Sequence, residues 1–212
     1  PLAKIYKRIG YQPYDELTTK KIVTEMIKLI PNYCRIMRIM REIPKEKMMT
    51  IPVKLDLRKD IEDDFKRDGV KTNEIRMREI GFSTGKLNQN IELKISEYDS
   101  SNGKEFFLEM VNKDNILFGL LRLRFPDEVD LKELKGCALI RELHVYGQSL
   151  KLGAKGEKSQ HKGYGKLLML EGEKIAKEAG YKKVAVISGI GVREYYKKMG
   201  YELVGEYMVK SL

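Results

Sequence analysis

The sequence predicts a mixed α/β fold, a mainly antiparallel sheet flanked by helices, with a mainly helical segment in front of it. Three observations point there. Turn-separated runs of apolar and aromatic residues start only after Gly81. A glycine-bearing loop, Gln160-His161-Lys162-Gly163-Tyr164-Gly165, leads into a long helical pattern and then an apolar run. The residues before Gly81 show helical spacing broken by prolines instead.

In the first part, Asp15 to Ile30 reads as an amphipathic helix. Leu17, Ile22, Val23, Met26, Ile27 and Ile30 recur near helical spacing, and Pro31 stops the run. The stretch Tyr33 to Arg41 does not settle its period, so short helix and strand both stay open. Pro44 and Pro52 bracket a linker, and Leu55 to Asp68 reads as a second helix with Gly69 in the C-cap position. These elements are too few to close a compact domain alone. With Pro1 where a start Met would stand, they imply a piece of something larger.

After Gly81, Ile91–Glu97, Phe106–Val111 and Ile116–Arg124 are expected as strands. The polar turns Ser100-Ser101-Asn102-Gly103 and Asn112-Lys113-Asp114-Asn115 separate them, which predicts an antiparallel meander. A fourth strand, Ala138–Tyr146, follows a loop over 126–136. The stretch Gly147 to Lys158 then leads to the glycine loop, a helix from Gly165 to Ala179, a buried strand Lys183–Ser188, a short helix Val192–Met199 and a last strand Tyr201–Lys210.

Composition narrows the function classes. Hydrophobic residues make up 42% of 212 and charged residues 34%, so a packed core is expected and wholesale disorder is not. No apolar run approaches the roughly 18–20 residues that span a bilayer, and the start lacks the apolar stretch of a signal peptide. No membrane partner is expected. Two distant cysteines, Cys34 and Cys137, argue against a disulfide framework and for a cytoplasmic protein. The net charge of +10 favours an anionic partner such as RNA, DNA or a phosphorylated cofactor. A heat-adapted, ion-pair-rich surface accounts for the same surplus.

The pattern Gln160-x-x-Gly163-x-Gly165 suits a diphosphate cradle. Glycines let the backbone approach a ligand closely, and the free N–H groups of the next helix's first turn point at the phosphates. A dinucleotide-binding fold would need these glycines directly after the first strand of a βαβ unit. Here three or four antiparallel strands come first, which disfavours it.

Order and residues together resemble the GNAT superfamily of acyl-CoA N-acyltransferases. The resemblance implies that Gln160, Gly163 and Gly165 bind the coenzyme A pyrophosphate, with Tyr164, Lys166 and Leu167 beside them. It implies that the pantetheine arm pairs with the splayed fourth strand at Glu142, Leu143, His144 and Val145. The segment Glu194-Tyr195-Tyr196-Lys197-Lys198-Met199-Gly200-Tyr201 resembles the family's Phe-Tyr-x-x-x-Gly-Phe signature. That puts Tyr196 where a tyrosine protonates the departing thiolate and contacts the cofactor, with Tyr195 second and assigned to packing. Glu142 and His144 alternate onto one face and are read as cofactor contacts more than as a catalytic base.

The resemblance extends along nearly the whole chain. Leu139-Ile140-Arg141-Glu142-Leu143-His144-Val145-Tyr146-Gly147, the glycine loop through Met169, Val186-Ile187-Ser188-Gly189-Ile190-Gly191-Val192-Arg193, Arg76-Met77-Arg78-Glu79-Ile80-Gly81 and Arg35 to Pro44 are similar to the Elongator catalytic-subunit family. This implies a tRNA-modifying enzyme that uses acetyl-CoA to place a carboxymethyl group on carbon 5 of the wobble uridine, with tRNA-stimulated acetyl-CoA hydrolysis. Other subunits of a modification complex are implied partners. In that family the whole enzyme also carries S-adenosylmethionine and an iron–sulfur cluster in a radical domain, whose ligating cysteines are not in this chain. Residues 1–45 therefore read as the tail of that radical-domain barrel, 46–80 as a linker with one helix, and 81–212 as the acetyltransferase domain. Where many relatives have a cysteine triad this chain has Thr72, Glu74 and Met77, so no metal is expected there. The alternative function is a protein lysine (histone-type) acetyltransferase, and a third reading is an RNA-binding module with a relict cofactor fold.

Basic clusters fit an RNA partner. Arg35, Arg38 and Arg41 are candidates for phosphate contact, or for ion pairs with Glu42, Asp63 and Asp64. Lys151, Lys155, Lys158 and Lys162 crowd the loop before the cradle, where they would neutralise the cofactor's phosphates or guide tRNA.

Overall fold

The computed structural model describes residues 2–39, 56–83, 90–147 and 163–212. Arg41, Glu42, Gln160, His161 and the four loop lysines lie outside them. The chain divides into two compact units, Pro1–Arg78 and Glu79–Leu212. Among the described residues no helix is long and apolar enough to cross a membrane.

The first unit is helical. Helix α1 (Leu2–Ile9) was not foreseen in the sequence. Helix α2 (Glu16–Lys28) starts at Asp15, whose carboxylate accepts the Thr18 N–H at 2.8 Å and satisfies an otherwise open donor of the first turn. Helix α3 (Leu57–Asp68) ends at Gly69 in the left-handed conformation, and α4 (Ile75–Arg78) is a single turn. Residues 33–39 form neither helix nor strand. Ile27, Leu57, Ile61 and Phe65 make the small core, with Ile36, Val70 and Met77 against it. The segment read as a linker thus supplies three of four core residues of this unit. Polar bonds tie its chain together: the buried Glu74 carboxylate accepts the N–H groups of Ile36 at 2.7 Å and Met77 at 2.9 Å, and the Thr72 hydroxyl donates to the Met77 sulfur at 3.4 Å. Those three positions hold this fold together.

The second unit is one seven-stranded sheet in the order β1-β2-β3-β4-β5-β7-β6. The strands are β1 (Ile91–Ser100), β2 (Gly103–Asn112), β3 (Leu117–Phe125), β4 (Cys137–Val145), β5 (Lys183–Ile187), β6 (Glu202–Val204) and β7 (Tyr207–Ser211). All neighbours are antiparallel except β4 and β5, which helix α5 (Tyr164–Glu178) joins. A crossover helix is what a parallel pair requires. The β1–β2 turn is the expected one: Ser101 and Asn102 take positive φ of 45° and 57°, the hairpin geometry that matches strand twist. The expected last strand is two strands. Gly205, at φ 58°, turns the chain so that Val204 pairs with Tyr207. Short helix α6 (Arg193–Lys197) follows a 3₁₀ turn, Ile190–Val192.

Alternation sorts the sheet's faces. Leu121, Leu123, Ala138, Ile140, Val184, Val186 and Met208 pack with Leu168, Met169 and Ala176 of α5. Cys137, Ala185 and Val209, with Leu139 and Tyr207, face the other way and gather under Leu134.

Candidate functional site

The site is a split in the sheet. Strand β4 pairs with β3 from Leu139 to Val145 but with β5 only from Cys137 to Ile140, whose partner is Val186. Beyond that pair the two strands part. A bulge marks the point: Arg122 faces Glu142 while Leu123 faces Ile140, so Arg141 has no partner across β3. A bulge bends its strand and raises the local twist. The edge of β4 from Arg141 to Val145 has no strand on its β5 side among the described residues. Its N–H and C=O groups are those an extended ligand would pair with.

The start of α5 completes the opening. Gly163 caps the helix with φ 77°, a conformation costly for other residues, and among the described residues no side chain at the cap bonds the first-turn N–H groups. Among the described residues nothing lies within 4 Å of where a Cβ at Gly163 would stand. At Gly165 a methyl group would lie 3.0 Å from the Tyr195 hydroxyl oxygen and 3.4 Å from Val145 Cγ2, so the helix, β4 and Tyr195 meet here with room for hydrogen only. The Tyr164 ring packs edge-on against Phe118, and its burial raises the pKa of the phenol. Leu167 is about half exposed. The first-turn donors and the helix dipole favour an anion.

The two tyrosines exchange the packing expected of them. Tyr196, read as the residue of the cleft, is 7% exposed and belongs to the core, edge-on to Tyr201. Tyr195, read as the packed one, is 39% exposed and carries its hydroxyl to Gly165. The reason is the short helix: adjacent residues point about 100° apart, and the core side falls on Tyr196. Burial raises the pKa of both phenols, and in Tyr196 the neighbouring Tyr195 adds to the rise. Both therefore stay protonated near neutral pH. Neither hydroxyl has a hydrogen-bond partner among the described residues.

Glu142 and His144 share the face away from α5, as alternation requires. Glu142 is occupied: its Oε2 accepts Arg122 Nε at 2.8 Å, and the Arg122 guanidinium lies 5.0 Å over the Phe107 ring. His144 stacks on Tyr146 with centroids 4.5 Å apart. Leu143 packs against the α5-side core. Neither Glu142 nor His144 stands as an unpaired base.

Two features escaped sequence reasoning. Ser188, the residue after β5 at the split, has a buried Oγ with no hydrogen-bond partner. A buried clamp, Glu173, accepts the Tyr201 hydroxyl at 2.8 Å and Lys210 Nζ at 2.6 Å. A charged residue in an otherwise apolar helix face was the available signal for the clamp.

An unpaired strand edge leading to a glycine-capped helix start is an arrangement that suits an extended ligand ending in an anionic group. The match to the acetyltransferase (GNAT) family over residues 73–201 agrees, and the chain belongs to that family. It is an acyltransferase by family and fold. Over its whole length the chain is similar to proteins named tRNA uridine(34) acetyltransferase and Elongator complex protein 3. It is 40% identical to tRNA uridine(34) acetyltransferase of Methanocaldococcus jannaschii and 39% identical to Elongator complex protein 3 of Drosophila melanogaster. The solved structure of Methanocaldococcus infernus Elp3 with an N-terminal deletion superposes with a TM-score of 0.87 at 36% identity, covering all of this chain and 52% of that one. The chain spans 41% of the first of these relatives and 40% of the second.

Proposed function

We propose that the chain is the acetyl-CoA-binding part of a tRNA-modifying acyltransferase acting at carbon 5 of the wobble uridine, with acetyl-CoA hydrolysis stimulated by tRNA. The observation that carries it is the split between β4 and β5 ending at the Gly163–Gly165 helix start. The names of the full-length relatives supply the tRNA uridine substrate, and the +10 net charge suits it.

The residues present fit the cofactor. Gly163, Tyr164, Gly165 and Lys166 would hold the pyrophosphate on backbone N–H groups, with Gln160 from the preceding loop. The backbone of Glu142 to Val145 would pair with the pantetheine arm, and Leu167 would cover it. Bound there, acetyl-CoA supplies an activated acetyl thioester. The orphaned Ser188 hydroxyl is a further group at the split seeking a partner. Tyr196 is the proposed proton donor to the departing sulfur, with Tyr195, the more exposed of the two, second; both phenols are protonated near neutral pH, and the burial that raises their pKa makes each a weaker acid than an exposed tyrosine. S-adenosylmethionine and an iron–sulfur cluster belong, in this reading, to a part of the longer enzyme whose ligands this chain does not carry.

Calorimetry with a non-hydrolysable acetyl-CoA analogue tests the cofactor site, and thioester cleavage with and without tRNA tests the substrate. Saturable binding and faster cleavage with tRNA are expected. No binding would sink the reading. Lysine-peptide acetylation at a rate unaffected by tRNA would replace it with the protein acetyltransferase.

A further inference from the structure

A cavity of about 520 Å³ opens on the face of the sheet away from α5, where β4 and β5 part. Leu139, Ile187 and Tyr207 line its apolar side, and Arg124 and Arg141 its charged side. Neither arginine's side chain belongs to the cofactor site, to which Arg141 would offer only its backbone. A single buried carboxylate holds both: Glu105, 1% exposed, accepts Arg124 Nη1 at 3.0 Å and Arg141 Nη1 at 2.6 Å through the same oxygen. Its Oε2 is buried and has no hydrogen-bond partner. Arg124 is further spent on the backbone carbonyls of Ser100 and Ser101.

Arg141 is different. Its side chain is 54% exposed and makes only the Glu105 bond, so its remaining N–H donors have no partner among the described residues. Two positive charges against one negative leave one unit of positive charge at the cavity. A guanidinium fixed on one side and open on the other is pre-organised for a bidentate anion and loses little freedom on binding it. The cavity is far larger than one phosphate and falls in the range of small-molecule sites. The Tyr207 ring and the aliphatic wall would take a flat apolar body.

We infer that this cavity is a nucleotide subsite, in which Arg141 takes a phosphate and the Leu139–Ile187–Tyr207 wall takes the base. This rests on the tRNA-modifying reading and gives it a place for a substrate nucleotide, at the far mouth of the split that holds the cofactor.

The test titrates the chain with uridine 5′-monophosphate, inorganic phosphate and a short single-stranded oligouridylate, followed by NMR, in the wild type and in Arg141→Ala. Acetyl-CoA-analogue binding is measured alongside. The nucleotide is expected to bind more tightly than phosphate, and Arg141→Ala to raise its Kd about tenfold, the worth of one charge-assisted bond. Tighter binding of the oligonucleotide marks an RNA strand as the source; tighter binding of the monophosphate marks a free nucleotide. Equal affinity for phosphate and nucleotide, or an unchanged Kd in Arg141→Ala, overturns the inference. So does absence of nucleotide binding while the analogue binds, and that outcome leaves the cofactor reading standing. Arg141→Lys, which keeps the charge, should restore part of the affinity and guards against a folding artefact.

Discussion

Replacing Glu173 with Ala should cost the second unit about 3 kcal/mol. The carboxylate is 7% exposed on α5 and satisfies two partners from the far end of the chain, the Tyr201 hydroxyl and the Lys210 ammonium. Hydrogen bonds to a charged group contribute about 1.5–3 kcal/mol each. Removing one side of a buried pair costs about 3–5 kcal/mol, because the partner charge is left behind. Lys210 retains 24% side-chain exposure and recovers some hydration, which puts the net loss near the bottom of that range.

The chain has 12 Tyr and no Trp, so urea unfolding is best followed by far-UV circular dichroism with the tyrosine near-UV signal as a second probe. The midpoint should fall while the slope stays constant, since the surface exposed on unfolding hardly changes. Glu173→Gln, which keeps an acceptor for Tyr201 but loses the charge on Lys210, should lose about half as much. A Glu173→Ala, Tyr201→Phe pair should be non-additive by about 1 kcal/mol. A loss below about 1 kcal/mol for Glu173→Ala would refute the claim that the clamp is a main tie between α5 and the last strands.

Three further outcomes follow from the same geometry. Tyr196→Phe should lower acetyl-CoA turnover more than cofactor affinity, whereas Tyr195→Phe should shift affinity more than turnover; single-turnover kinetics beside calorimetry separates the two, and equal turnover in Tyr196→Phe removes the proposed acid. Gly165→Ala forces a methyl against the Tyr195 hydroxyl and Val145, and should raise the analogue's Kd about tenfold, roughly 1.4 kcal/mol, with little change in the urea midpoint. Burial and the adjacent Glu173 carboxylate raise the Tyr201 pKa. Its folded form therefore keeps a proton that the unfolded chain loses, so stability is full below about pH 10 and falls above it by about 1.4 kcal/mol per pH unit. Tyr201→Phe should remove that share of the slope in unfolding curves taken from pH 9 to 11.

Much of the second unit was legible because its strands and turns announce themselves locally. Ser101-Asn102 favours positive φ, and Gly163 and Gly165 stand at a helix start, so neighbours in sequence decide those structures. Gly205 gave a similar signal inside Tyr201–Lys210, but a continuous β-rich run hid the hairpin. In the first unit the two cores of prediction differed in kind. Helix α2 shows its spacing, while Glu74 binds the N–H of Ile36, 38 positions earlier, and no local pattern records such a partner. The packing of the tyrosine pair came out reversed for a related reason. A family signature gives their order along the chain, but the rotation of a five-residue helix against the core decides which ring is buried.

The cavity at the split also depends on a residue far from it in sequence. Past Ile140 a regular β4 would go on pairing with β5, since Ile187 is still in strand there. The bulge falls where that pairing stops and takes Arg141 out of register with β3, and the Arg141 side chain is tied to Glu105, two strands away on β2. Glu105 in turn is held beside Arg124 on the strand between. The ion pair lies on the sheet face and the ladder groups along the strand edge, so it is the bulge that alters the backbone course of β4, and the Glu105 bond that fixes where the Arg141 side chain goes. The opening that would receive an acyl-CoA on one face and the cavity on the other then meet at one place, the bulge at Arg141. Glu105→Gln should therefore leave the sheet in place, loosen the guanidinium that lines the cavity and weaken nucleotide binding there, as the same titration would read.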